Sequence, residues 1–149
     1  MIPSKRQFVA AAVAAAALAA GAGWTPSAAA AEPTSKVVYH VNDSAYATPA
    51  LGNIRNHLNA EPTAKIIVVT HGKGIDFLLE GAEDKNKNPY NVTVQTLKDR
   101  GVEFKVCNNT LVSRKIDKSK VIPEASIVPS GVAEIGRLQA KEQYVYLKP

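Results

Sequence analysis

One cysteine, three histidines and a few glycines carry most of the reactive chemistry in this chain of 149 residues. Cys107 stands in FKVCNNTLVSRK, where an apolar alternating run gives way to polar residues that can start a helix. A thiol at a strand-to-helix junction meets unpaired backbone N–H groups and the positive end of a helix dipole, and both favour thiolate. Such a setting can bring a cysteine from ~8.5 toward neutrality and make it nucleophilic. The blander reading has Cys107 pointing inward and packing as a small hydrophobe, as free cysteines often do. With no second cysteine in the chain, an intrachain disulfide is closed to it.

His71, in THGKG, is the histidine best placed to support a thiolate or shuttle a proton, because Gly72 and Gly74 let backbone come close to a small anion. GKG by itself lacks the remainder of a phosphate loop. His40 is second from the end of an apolar run and reads more as a satisfied core histidine than as a catalyst, while His57, near Asn56 and Asn59, reads as solvent-facing. His40, His71 and Cys107 could in principle make a three-ligand metal site. No H-x-x-x-H or C-x-x-C spacing supports one, so neither a metal nor a cofactor is expected. Neither a G-x-S-x-G elbow nor twinned carboxylates point to hydrolysis.

The elements that must position these side chains follow from the hydrophobic period. KVVYHV (Lys36–Val41) and KIIVVT (Lys65–Thr70) read as strands, the second apolar without alternation, as in a strand covered on both faces. Residues 102–107, 126–128 and 143–148 read as three more. Between them, Thr48-Pro49 reads as a helix start followed by Leu51, Ile54 and Leu58 on one face; Asn88-Pro89 starts another with Tyr90, Val94 and Leu97, ended by Gly101. Asn108 or Asn109 is placed to cap a helix entering Thr110-Leu111, and 131–141 carries Val132, Ile135 and Leu138 on one side. Alternation of this kind predicts an α/β fold: a mostly parallel five-stranded sheet between helices, in three α/β/α layers. Ligands of such sheets bind outside the carboxyl ends of the strands. The residues leaving those ends are His40 and Asn42, then His71, Gly72 and Gly74, then Cys107, Asn108 and Asn109, then Ser130 and Gly131.

The first 31 residues obey a different logic. Lys5-Arg6, an alanine-rich run and the small residues of SAAAAEP read as a cleavable export signal, cut after Ala31, either a general secretory signal or, from the order Ser4 to Val9, a twin-arginine signal with lysine in place of the first arginine. The expectation is a periplasmic protein whose single domain is 32–149. No stretch before Glu32 reaches the ~20 strongly apolar residues of a spanning helix, so no stable membrane span is expected. Removing the signal takes away Lys5 and Arg6 and no acidic residue, so the net charge falls from +5 to +3. Lysines and acids alternate along the rest without a basic block interleaved with aromatics, which argues against nucleic acid as a partner.

Taken together, KVVYHVND, IIVVTHGKGI, GVEFKVCNNTL and IVPSGVAEIGRLQ with YVYLKP resemble the DsrE/DsrF-like sulfur-relay proteins, in their small single-domain branch, over nearly all of residues 36–149. The resemblance implies a DsrE-like α/β fold that assembles into trimers or hexamers. It also implies a cysteine, here Cys107, that accepts sulfane sulfur as a persulfide and passes it on. Partners would be sulfur-donor and sulfur-acceptor proteins, or small sulfane-sulfur compounds. A lone thiol suits that role, because a second one nearby would discharge the persulfide as a disulfide. The competing expectation is a non-catalytic binding or assembly module, in which Cys107 merely fills space.

Overall fold

Each strand of the sheet owes its place to which of its faces is apolar. A computed structural model describes residues 34–149, which form one compact unit. The segment read as an export signal lies outside the described residues. The strands are β1 (Lys36–Val41), β2 (Lys65–Thr70), β3 (Glu103–Cys107), β4 (Ala125–Val128) and β5 (Val145–Leu147). The helices are α1 (Ala47–Ala60), α2 (Tyr90–Asp99), α3 (Asn108–Ser113) and α4 (Gly131–Glu142). The sheet runs in the order β4-β3-β2-β1-β5, and every pairing is parallel. The expected α/β sandwich is therefore present, with an entirely parallel sheet.

The two layers of helix are unequal. Val37, Tyr39, Val41, Ile66, Val68, Phe104 and Val106 face a large core built with Ile54 and Leu58 of α1, Val94 and Leu97 of α2, and Phe77 and Leu78 of a 3-10 segment, Gly72–Leu78. Each large aliphatic side chain buried there contributes about 1.5–3 kcal/mol. On the opposite face, among the described residues, Val38, Ile67 and Val69 pack with Ile135 and Leu138 of α4, together with Tyr144. Side chains alternate along a strand. The residues that continue this second face are thus His40 after Val38, His71 after Val69, and Lys105 and Cys107 along β3. All of them lie on the side of α4.

Where the small apolar core ends, charge holds α4 down. Lys105 Nζ donates to Glu134 Oε1 at 2.7 Å, with the two side chains only 13% and 11% exposed. Arg137 Nε donates to the other Glu134 oxygen at 2.8 Å, and its guanidinium also bonds Glu142. The Arg137 hydrogen bond, helped by the one from Lys105, outweighs burial and holds the Glu134 carboxyl down at about 2.

Several boundaries differ from the expected ones. α1 begins at Ala47 after Tyr46, so Thr48 lies inside its first turn, and its hydroxyl meets that of Tyr90 at 3.0 Å. Cys107 itself, not Asn108 or Asn109, is the residue flanking α3: its extended backbone (φ −71°, ψ 115°) ends the strand, and Asn108 is already helical. His57 is half-buried and not solvent-facing, because its Nδ1 lies 3.0 Å from the hydroxyl of the buried Tyr39.

Candidate functional site

Two chain crossings meet at Cys107. β3 delivers it to the carboxyl edge of the sheet, where Cys107 pairs with Val128 of β4. That register brings the turn after β4, Pro129 to Gly131, alongside the start of α3. Ser130 caps α4, accepting from Ala133 N at 3.4 Å, so the first N–H groups of α4 point back at the sheet edge. A Cβ on Gly131 would sit 3.2 Å from Cys107 Cβ, 3.4 Å from His71 Cβ and 3.1 Å from Thr70 O, so any side chain there would crowd all three.

The Cys107 side chain is 4% exposed, and its polar neighbours decide its chemistry. Burial pushes the thiol pKa up, but this is outweighed by the nearby Gly131 N–H, the Thr110 hydroxyl, and the N–H groups of Thr110 and Asn109, all of which favour thiolate. The net result lies below the ordinary cysteine value. Asn109 N–H donates to Pro129 O at 3.3 Å. The donors come from two helix starts and one side chain, and no charged residue is among them. Buried sulfur in this setting is neither a plain core atom nor half of a cysteine–imidazolium pair.

His71, His40 and Tyr146 form a chain beside it. His71 Nε2 lies 2.7 Å from His40 Nε2, and His40 Nδ1 lies 2.6 Å from the Tyr146 hydroxyl. Burial first, then the neighbouring His71 and Lys148 charges, brings His40 down to about 4; burial and Lys148 lower His71 as well. Both imidazoles are therefore neutral at pH 7. Among the described residues no set of three His, Cys, Asp or Glu side chains is close enough to hold a metal ion.

The remaining rim residues serve the backbone. Gly72 has φ +57°, and its N–H donates to Thr110 Oγ1 at 3.0 Å. Gly74 packs directly under the end of β1: a Cβ there would lie 2.1 Å from Val41 O and 2.8 Å from the carbonyl carbon of Asn42. Asn42 thus enters through its backbone. Arg114 fastens the same loop, donating to Gly72 O at 3.0 Å and Asp76 Oδ1 at 2.6 Å. Asn108 opens α3, and its Oδ1 is buried without a hydrogen-bond partner among the described residues. Thr110 and Tyr146 were not legible as site residues from pattern alone. The available signals were a threonine three positions after the cysteine and a tyrosine on the final strand in phase with His40.

This sheet and this rim define a class of small α/β proteins with a thiol at the strand ends. The chain matches the DsrE/DsrF-like family over residues 6–149 and belongs to it. Membership connects it in general terms with sulfur relay. Among solved structures, MTH1491 of Methanobacterium thermoautotrophicum, described as a protein of unknown function, is similar with a TM-score of 0.69 and 28% identity, over 77% of this chain and 99% of that one. The ychN protein of E. coli shares the fold, with a TM-score of 0.65 and 14% identity over 78% and 100% of the two chains. No curated protein matches.

Proposed function

We propose that the chain is an exported sulfur carrier that takes sulfane sulfur onto Cys107 as a persulfide and hands it to a partner in the periplasm. The polar groups around the Cys107 sulfur carry this reading, because they favour thiolate at a strand end in a chain with no second cysteine. In loading, the thiolate attacks the outer sulfur of a donor, a new S–S bond forms, and the donor's S–S bond breaks with its electron pair on the departing group. In unloading, an acceptor thiolate attacks the outer sulfur and Cys107 leaves as thiolate. Homo-oligomerisation fits the unpaired edge of β5, where Val145, Tyr146 and Leu147 are 61%, 37% and 41% exposed. Among the described residues no helix is long and apolar enough to cross a membrane.

One measurement tests the reading. Intact mass of the protein recovered from the periplasm and treated with polysulfide is expected to begin at Glu32 and to carry one added sulfur. Cys107→Ser is expected to fold and remain unloaded. Absence of an adduct, under conditions that load a small free thiol, would overturn the carrier role; recovery of the full-length chain in the cytoplasm would overturn export.

A further inference from the structure

Three side chains on the face that carries Cys107 make an unbroken hydrogen-bonded line to solvent. At its inner end His71 and Cys107 are neighbours. They follow the paired Thr70 and Val106 of β2 and β3, and their Cβ atoms flank the point that a Gly131 Cβ would occupy, at 3.4 Å and 3.2 Å. From His71 the line crosses to β1 through His40 Nε2 at 2.7 Å, and from His40 Nδ1 it reaches the Tyr146 hydroxyl of β5 at 2.6 Å. Tyr146 stands on an edge strand and is 37% exposed, whereas Cys107 is 4% exposed. The line therefore joins a buried rim to water.

Its hydrogens have two self-consistent arrangements, because each neutral ring carries one N–H. In the inward one, Tyr146 donates to His40 Nδ1, His40 Nε2–H donates to His71 Nε2, and His71 keeps a free Nδ1–H. In the outward one every bond is reversed, and His71 Nδ1 is left with a lone pair. His71 Nδ1 has no hydrogen-bond partner among the described residues. A neutral imidazole is too weak an acid to give up a proton alone. It does so readily when its other nitrogen is refilled in the same movement, which is what this line permits.

A sulfur carrier needs a proton at one step. The outer sulfur of a loaded cysteine is negative and repels an incoming thiolate, and protonation removes that barrier. The groups that favour thiolate at Cys107 are backbone N–H groups and one hydroxyl, none of them a titratable acid at neutral pH. Building on the sulfur-carrier reading, we propose that His71 donates the proton to the outer sulfur of loaded Cys107 and is refilled from solvent through His40 and Tyr146. His71 Nδ1 gives its proton to sulfur, His71 Nε2 takes the His40 proton, His40 Nδ1 takes the Tyr146 proton, and the Tyr146 oxygen takes one from a solvent acid. The acceptor thiol then releases its own proton to His71 Nδ1, which drives the line outward and restores the starting arrangement. Its thiolate attacks the protonated outer sulfur, a new S–S bond forms, and the bond to Cys107 breaks with its electron pair on Cys107. One proton enters and one leaves, so hand-over needs neither oxidant nor reductant. His40 and Tyr146 act through His71 and are positioning residues.

The test loads the full protein with polysulfide, reads the added sulfur by intact mass, and follows its loss to β-mercaptoethanol, a small neutral thiol. His71→Ala is expected to load as the wild type does, to hand over at least about tenfold more slowly, and to recover when imidazole is added. Tyr146→Phe keeps the ring and removes only the outer end of the line, and it is expected to slow hand-over as well. His57→Gln, on α1 across the sheet, is expected to leave hand-over unchanged. Wild-type hand-over in either His71→Ala or Tyr146→Phe, or a His71→Ala defect that imidazole does not relieve, would overturn the relay and leave the carrier role standing. An unmutated protein that gains no sulfur from polysulfide would instead sink the carrier role itself.

Discussion

At Thr110 a backbone group fixes the direction of a side-chain proton. Gly72 N–H can only donate, and it does so into Thr110 Oγ1 at 3.0 Å, which leaves the hydroxyl hydrogen for Cys107. A hydrogen bond to a charged group is worth about 1.5–3 kcal/mol, enough to change the thiolate fraction at least tenfold. Thr110→Val is therefore expected to slow iodoacetamide alkylation of Cys107 at pH 7 by roughly tenfold, while Thr110→Ser keeps the wild-type rate. His71→Ala, which removes a neutral ring, is expected to leave the alkylation pH profile in place. A His71→Ala profile displaced as far as that of Thr110→Val would mean that the imidazole, not the hydroxyl, sets the thiolate. Cys107 and His71 were legible as candidates because residue type and strand position suffice for them. Thr110 was not, since its role depends on Gly72, which is 38 residues away in sequence.

Among the elements, the loop leaving β2 is held by backbone contact more than by side chains. Gly74 lies so close to Val41 O that any Cβ overlaps it, at 2.1 Å. Gly74→Ala is expected to destabilise the fold by about 3 kcal/mol or more, read as a lower urea midpoint with unchanged slope. A loss under 1 kcal/mol would show that the loop relaxes away from β1. The strand and helix alternation was readable because apolar runs, Pro-initiated helices and Gly101 mark it locally. The helix start at Cys107 was misplaced by one or two residues, because asparagines are good caps by type, and the choice among neighbouring positions was made by β3 pairing with β4 through Cys107. β5 was visible as a strand, but its place beside β1 was not. The bond from His40 to Tyr146 spans 106 positions, and no local pattern announces it.

For the molecule as a whole, the thin layer is the vulnerable one. Among the described residues a single helix covers the face that carries Cys107, and the Lys105–Glu134–Arg137 network fastens it. Glu134 ionises near 2 in the fold against a usual 4.5, so in acid the unfolded chain takes up the proton first. The stabilisation is complete above 4.5 and is lost as pH falls toward 2. Thermal melts should show Glu134→Gln less stable than the wild type at pH 7, with the gap narrowing between those two values. A gap that stays constant down to pH 2 would mean that Glu134 contributes through packing alone.

The hydrogen bonds that gather around the Cys107 sulfur have a consequence for timing. In the proposed carrier, loading moves the negative charge to the outer sulfur, and the N–H groups of Gly131, Thr110 and Asn109 are left around an atom that no longer carries it. They are fixed by two helix starts and cannot follow the charge outward, so they favour its return, and a sulfur that leaves easily is released quickly. Sulfur carried in the proposed way would therefore be short-lived, suited to brief hand-over and poorly suited to storage.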